Sequence, residues 1–120
     1  MANFNRSIVV GNLTKDPETK FLPSGQAVCN MSIAVNERWT KDGEKKEYVS
    51  FFDIVAWGKL AELCAQYLKK GRPVLVEGKL RQERWEKEGS KRSKVTITAE
   101  NIQFLGGREE EKEEKEDLPF

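Results

Sequence analysis

The chain has 120 residues, 38% of them apolar and 34% charged, with 21 Lys and Arg against 20 Asp and Glu. That length holds one compact core and a short appendage rather than two domains. Histidine is absent and Cys29 and Cys64 are the only thiols, so the commonest metal ligand, the usual general base and any CxxC zinc pair are missing, which argues against a hydrolytic enzyme and against a bound metal or other cofactor.

Residues 4–13 are rich in β-branched side chains and predict a first strand, closed by the turn chemistry of Thr14-Lys15-Asp16-Pro17. A second turn at Pro23-Ser24-Gly25 leads into residues 27–36. There Ala27, Cys29, Met31, Ile33 and Val35 alternate with smaller or polar neighbours, the pattern of a half-buried strand. Lys41-Asp42-Gly43-Glu44 is a hairpin signal, and residues 47–57 follow as a third strand. In residues 58–70, Leu60, Leu63, Cys64, Tyr67 and Leu68 fall at i, i+3, i+4, i+7 and i+8, one face of a helix. Lys69 and Lys70 suit its negative end, with Gly71 as the stop. Pro73 opens a fourth strand over 74–86, and Glu88-Gly89-Ser90 turns it into a fifth. On that last strand Val95, Ile97 and Ala99 share one parity, but Ile102 and Phe104 take the other, which predicts an irregularity near Asn101.

The order β-β-β-α-β-β predicts an all-β fold: a five-stranded OB-fold Greek-key barrel with one helix between strands 3 and 4. Residues 1–107 form this domain. Residues 108–117 hold seven acidic and three basic side chains, too few apolar groups to offset the entropy of ordering, so 108–120 is expected to be a disordered acidic tail. Removing that run leaves 18 basic and 13 acidic residues, a body of +5 against a tail of −4. No apolar h-region opens the chain and no stretch approaches the ~18 apolar residues of a membrane span. A cytoplasmic protein with two buried, reduced thiols and no membrane contact is expected.

Trp85 shares its strand parity with Glu77, Lys79, Arg81 and Glu83, where burial does not account for it. Trp39 stands at a loop edge beside Arg38, and Phe51 and Trp57 share a parity opposite the more uniformly apolar Phe52, Ile54 and Ala56. Flat rings offer stacking surfaces to unpaired bases, and cations along the same track suit phosphates. The candidate cations are Arg6, Lys20, Lys59, Lys79, Arg81 and Arg84, with Lys45, Lys46, Lys87, Lys91 and Arg92 on loops. Two other signals fail. The segment from Gly71 to Lys79 has the wrong glycine spacing for a phosphate loop and lacks its Ser/Thr. The pairs Asp16 with Glu18 and Asp42 with Glu44 sit in turns, without a third converging group to hold catalytic metals.

Several motifs in order then carry a resemblance over residues 3–107. They are Val10-Gly11-Asn12-Leu13 with Asp16-Pro17-Glu18, Trp57-Gly58-Lys59-Leu60-Ala61-Glu62 with Tyr67-Leu68-Lys69-Lys70-Gly71, and Val76-Glu77-Gly78-Lys79-Leu80 ending in Arg84-Trp85. In these the chain resembles bacterial-type single-stranded DNA-binding proteins. The resemblance implies a homotetramer that coats single-stranded DNA in replication, repair and recombination, without sequence preference and near the nucleoid. It carries stacking roles onto Trp39, Phe51, Trp57 and Trp85. It also likens Glu116, Asp117, Leu118, Pro119 and Phe120 to the acidic tip through which the family recruits replication and repair proteins. An adaptor barrel devoted to protein contact and a metal-dependent nuclease are the alternatives; the aromatics on a basic body count against the first, and the missing metal ligands against the second.

Overall fold

The turn at Thr14–Pro17 ends the first strand at Leu13, as expected, and a further short strand follows it. In the computed structural model, which describes residues 1–106, β1 (Ser7–Leu13) and the short β2 (Glu18–Phe21) both pair antiparallel with β3 (Ala27–Lys41). They lie along it in succession. Between Leu13↔Ile33 and Glu18↔Asn30 the pairing slips by two residues, so residues 14–17 bulge outward. Asp16 ties that excursion down by accepting the Lys70 backbone N–H at 2.8 Å. The sequence marks Glu18–Phe21 only as a link, because Glu-Thr-Lys-Phe has no apolar alternation to reveal a strand.

β4 (Glu44–Trp57), α1 (Gly58–Tyr67), β5 (Pro73–Lys87) and β6 (Ser90–Phe104) complete the chain. The sheet order β1-β5-β6-β4-β3-β2 closes through β1–β3 contacts, and β4 runs parallel to β6. The result is a closed barrel of five strands with one helix, the expected OB architecture, with β2 as an added edge piece.

Its core draws on the alternating residues that the sequence pointed to, except that Val95, near the projecting β-hairpin, is exposed and Val35 only partly buried. Cys29, Ile33, Ile54, Val74, Val76 and Ile97 are buried, and Ala61, Cys64 and Leu68 face them from the helix side. α1 ends three residues before the predicted Lys70. Leu68 turns to an extended conformation (φ −103°, ψ 147°) and sinks into the core, its N–H still bonded to the Cys64 carbonyl. Burying a large apolar side chain there outweighs one more helical turn, and Lys69 and Lys70 therefore fall beyond the helix. Tyr67, on the predicted apolar face, stays half exposed with its ring tilted against Phe104 at 5.7 Å.

The irregularity near Asn101 is present. Glu77 faces Asn101 while Gly78 faces Ala99, so Glu100 is the extra residue of a bulge. That resets the parity of β6 and buries Ile102 after Ala99.

Both long hairpins project beyond the barrel. Asp42-Gly43 and Glu88-Gly89 each have two successive positive φ angles, the two-residue turn that matches strand twist. The ladders consequently run to Lys41↔Glu44 and Lys87↔Ser90. The first is longer than the alternation in residues 27–36 suggests, since residues 37–46 are exposed and carry no apolar period.

Cys29 and Cys64 are free and fully buried. Burial, and secondarily the neighbouring Cys29, pushes the Cys64 thiol from 9.0 up to about 12. Between these values the unfolded chain loses the proton and the folded chain keeps it. The stability that Cys64 contributes is thus complete below pH 9 and declines as pH rises toward 12, by up to about 1.4 kcal/mol per pH unit. Urea unfolding at pH 8 and pH 10 is expected to show a larger loss for the natural chain than for Cys64→Ala. An equal loss in both would exclude Cys64 as the source.

Candidate nucleic-acid interface

The register puts most of the singled-out side chains on one side of the sheet, the side turned away from the core. Residues paired across strands share a side, so the ladders can be followed from edge to edge. One row runs Lys20–Val28–Trp57 across β2, β3 and β4. The next runs Glu18–Asn30–Val55–Thr98–Lys79, and a third Ser32–Asp53–Thr96–Arg81. Phe51 lies opposite Ala34, Glu83 opposite Lys94, and Trp85 opposite Arg92. Phe51, Trp57 and Trp85 thus stand on one face with Lys20, Lys79, Arg81, Arg92 and Lys94.

These rings are accessible: Phe51 is 67% exposed, Trp85 43% and Trp57 38%. Trp57, Val55, Thr98 and Arg81 line a groove of about 370 Å³ together with Gln82, Glu83 and Arg84. Trp85 borders a second, of about 520 Å³, with Arg84, Lys91 and Arg92. Arg84 points to the opposite parity from Trp85, and its Nη2 donates to Gln82 Oε1 at 2.8 Å.

Trp39 is not on that face. It pairs with Lys46 and continues the parity of Ile33, Val35 and Glu37, the side that is core at the hairpin's root and solvent at its tip. There it lines a groove with Arg38, Lys45 and Lys46. The apolar alternation stops before Trp39, so the sequence puts it at a loop edge, whereas β3 continues to Lys41.

The cations divide by their partners. Arg6 is ion-paired with Glu77 and Lys79 with Glu100 at 3.6 Å, so much of their charge is already balanced. Arg38 pairs with Glu47 and Lys46 with Glu44 on the other hairpin. Among the described residues, Lys20, Arg81, Arg84 and Lys94 form no ion pair, nor does Lys59, which is exposed in the first turn of α1. Lys94 was missed by the sequence reading, although its parity opposite Val95 and Ile97 was the available signal. Asp53 and Glu83 are a second omission: two carboxylates in the middle of a face selected for its rings and cations.

Among the described residues no cluster of three His, Cys, Asp or Glu side chains could hold a metal ion, and no helix is long and apolar enough to cross a membrane. Glu116–Phe120 and the acidic run before them lie outside the described residues.

The profile of the single-strand binding protein family matches residues 4–105. The chain is 51% identical over 106 residues to a single-stranded DNA-binding protein of Treponema pallidum, a match covering 88% of this chain and 60% of that one. With the protein of the same description from Aquifex aeolicus it shares 46% over 119 residues, covering 96% of this chain and 81% of the other. The chain therefore spans about three fifths of the length of the Treponema relative. Among solved structures, a Plasmodium falciparum SSB in complex with ssDNA superposes with a TM-score of 0.81 at 26% identity, covering 88% of this chain and 98% of that one.

Proposed function

Since the chain belongs to the single-strand binding protein family, we propose that it binds single-stranded DNA through the face bearing Phe51, Trp57 and Trp85, with Trp39 on the projecting β3–β4 hairpin. The protein is a binding protein and not an enzyme. The observation that carries the reading is the coincidence, on one side of the sheet, of exposed rings and cations that have no ion-pair partner among the described residues.

The mechanism follows from what pairing does to a base. In a duplex both faces of each base are stacked, while a bare strand can set its bases on Trp57, Trp85 and Phe51 and its phosphates near Arg81, Lys94, Lys20 and Arg84. Tighter binding to the open form draws the melting equilibrium toward it by mass action, with no bond made or broken. Arg6, Lys59 and Lys79 extend the cationic surroundings of that track. Rings accept any base, so the platform is sequence-tolerant.

The reading extends to a folded body over 1–107 with a tail over 108–120 that acts in replication, repair and recombination, in the cytoplasm at the nucleoid. In this scheme Glu116, Asp117, Leu118, Pro119 and Phe120 recruit partner enzymes. Self-association, as a tetramer, is supported by β1. Beyond its pairing with β5 it forms ladder pairs with β3 only at Asn12 and Leu13, and it exposes Ile8 and Val10 beside that open edge.

Oligo-dT titration followed by tryptophan fluorescence tests the reading, with native mass spectrometry giving subunit number. Quenching is expected, with an affinity that falls steeply with salt and greatly exceeds that for duplex of equal length. A preference for duplex, or indifference to both at low salt, would overturn it. Deleting Leu118–Phe120 is expected to abolish capture of replication and repair enzymes and to leave DNA affinity intact; undiminished capture would remove the tip's role.

A further inference from the structure

The face that carries Trp57 and Trp85 is not uniformly basic. Glu83 sits where two grooves meet, one lined by Trp57, Arg81 and Thr98, the other by Asn30, Asp53 and Lys94. Its Oε2 accepts a hydrogen bond from the Thr96 hydroxyl at 3.0 Å, and Thr96 is itself buried, so the sheet fixes the carboxylate in place. Among the described residues Glu83 forms no ion pair. Lys94, directly opposite it in the register, lies beyond ion-pairing distance.

A fixed carboxylate repels phosphate. A strand crossing this face is therefore driven to place its backbone near Arg81, Lys94 and Lys20 and to turn base edges toward Glu83. That carboxylate can only accept hydrogen bonds. Thymine offers it a single N3–H. Cytosine and adenine offer an amino group beside a ring nitrogen that is itself an acceptor, which repels the second oxygen. Guanine alone presents two adjacent donors, N1–H and N2–H, spaced to meet both carboxylate oxygens. The oxygen engaged by Thr96 keeps a further lone pair for this purpose.

We propose that Glu83 is a base-reading residue, superimposing a preference for guanine on an otherwise sequence-tolerant stacking platform. The inference rests on the single-strand reading above.

The test uses the full chain and oligo-dT in which isolated positions carry guanine or inosine; inosine lacks only the N2 amino group, and isolated substitutions avoid guanine self-assembly. The guanine oligomer is expected to bind about fivefold tighter or more than the inosine one, the discrimination typical of a two-point contact. Glu83→Gln keeps an acceptor for Thr96 but replaces one acceptor by a donor, so it is expected to erase the gap. Equal affinities for the guanine and inosine oligomers, with oligo-dT still bound, would overturn the proposal alone. A gap that survives in Glu83→Gln would also overturn it. Failure to bind any oligomer would remove the single-strand reading as well.

Discussion

The double substitution Trp57→Ala, Trp85→Ala is expected to lower oligo-dT affinity by roughly thirtyfold or more while the barrel stays folded. Base–aromatic stacking contributes about 1–3 kcal/mol per base by alanine substitution, a value already established for single-strand binding proteins. Two lost platforms therefore sum to about 2–6 kcal/mol, at about 1.4 kcal/mol per decade of affinity. Both rings are substantially exposed and absent from the core cluster, so circular dichroism and the melting temperature are expected to change little. Salt dependence separates stacking from charge. The double variant removes no cation and is expected to keep the slope of log affinity against log salt, whereas Arg81→Ala is expected to reduce that slope by about one. Trp39→Ala supplies a spatial contrast, because that ring lies on the other side of its hairpin. Its effect is expected to be small for oligomers short enough to occupy a single face and larger for strands that pass around the hairpin. A double variant with natural affinity at every salt concentration would exclude Trp57 and Trp85 from the site.

How far such a site is legible in a sequence depends on which interactions are local. Parity along β4 already separated Phe51 and Trp57 from Ile54 and Ala56, and the break between Ala99 and Ile102 disclosed the bulge at Glu100. Both follow from the two-residue period of a strand, which residues carry individually. The lengths of the hairpins were not legible, because residues 37–46 meet solvent on both faces and leave no apolar period. The end of α1 was hidden for the opposite reason: Leu68 satisfies the helical period and also the core once the chain extends. Hardest of all was the neighbourhood of Glu83. Its own parity was plain, but its approach to Asp53 and Asn30 depends on the parallel pairing of β4 with β6, between elements joined by a helix and another strand. Nothing in either segment encodes that pairing, so the cations were found singly while the carboxylates among them were passed over.

Gly78→Ala, a change of one methyl group, is expected to destabilise the fold more than removing either tryptophan from the surface. Gly78 faces Ala99 at the bulge, where β6 carries its extra residue. A Cβ built there runs into the Thr98 carbonyl oxygen, lies 2.8 Å from the carbonyl carbon and 3.0 Å from the Ala99 Cα. All three atoms are backbone, so no side chain can swing aside, and relief requires β5 and β6 to separate. Overpacking of this kind costs typically about 1–3 kcal/mol and occasionally more, and a rigid backbone obstacle places Gly78→Ala at the upper end. Each kcal/mol lowers the melting temperature of a domain this size by about 4–8 °C, so a fall of about 12 °C or more is expected, compared at equal protein concentration because the proposed self-association would shift the transition. The damage is also expected to reach the proposed binding face. Thr98 is the atom group displaced, and it pairs with both Val55 and Lys79 in the row beside Trp57. Oligo-dT affinity should therefore fall even at temperatures where Gly78→Ala remains folded. Gly89→Asn is the control. Gly89 has φ +79°, which strains any side chain, but open space around a would-be Cβ, and Asn is among the few residues that visit the left-handed region, so melting is expected to fall clearly less than for Gly78→Ala. Should Gly78→Ala melt within a degree or two of the natural chain, the bulge at Glu100 is soft enough to absorb a methyl group, and close contact between β5 and β6 is not what fixes the register there.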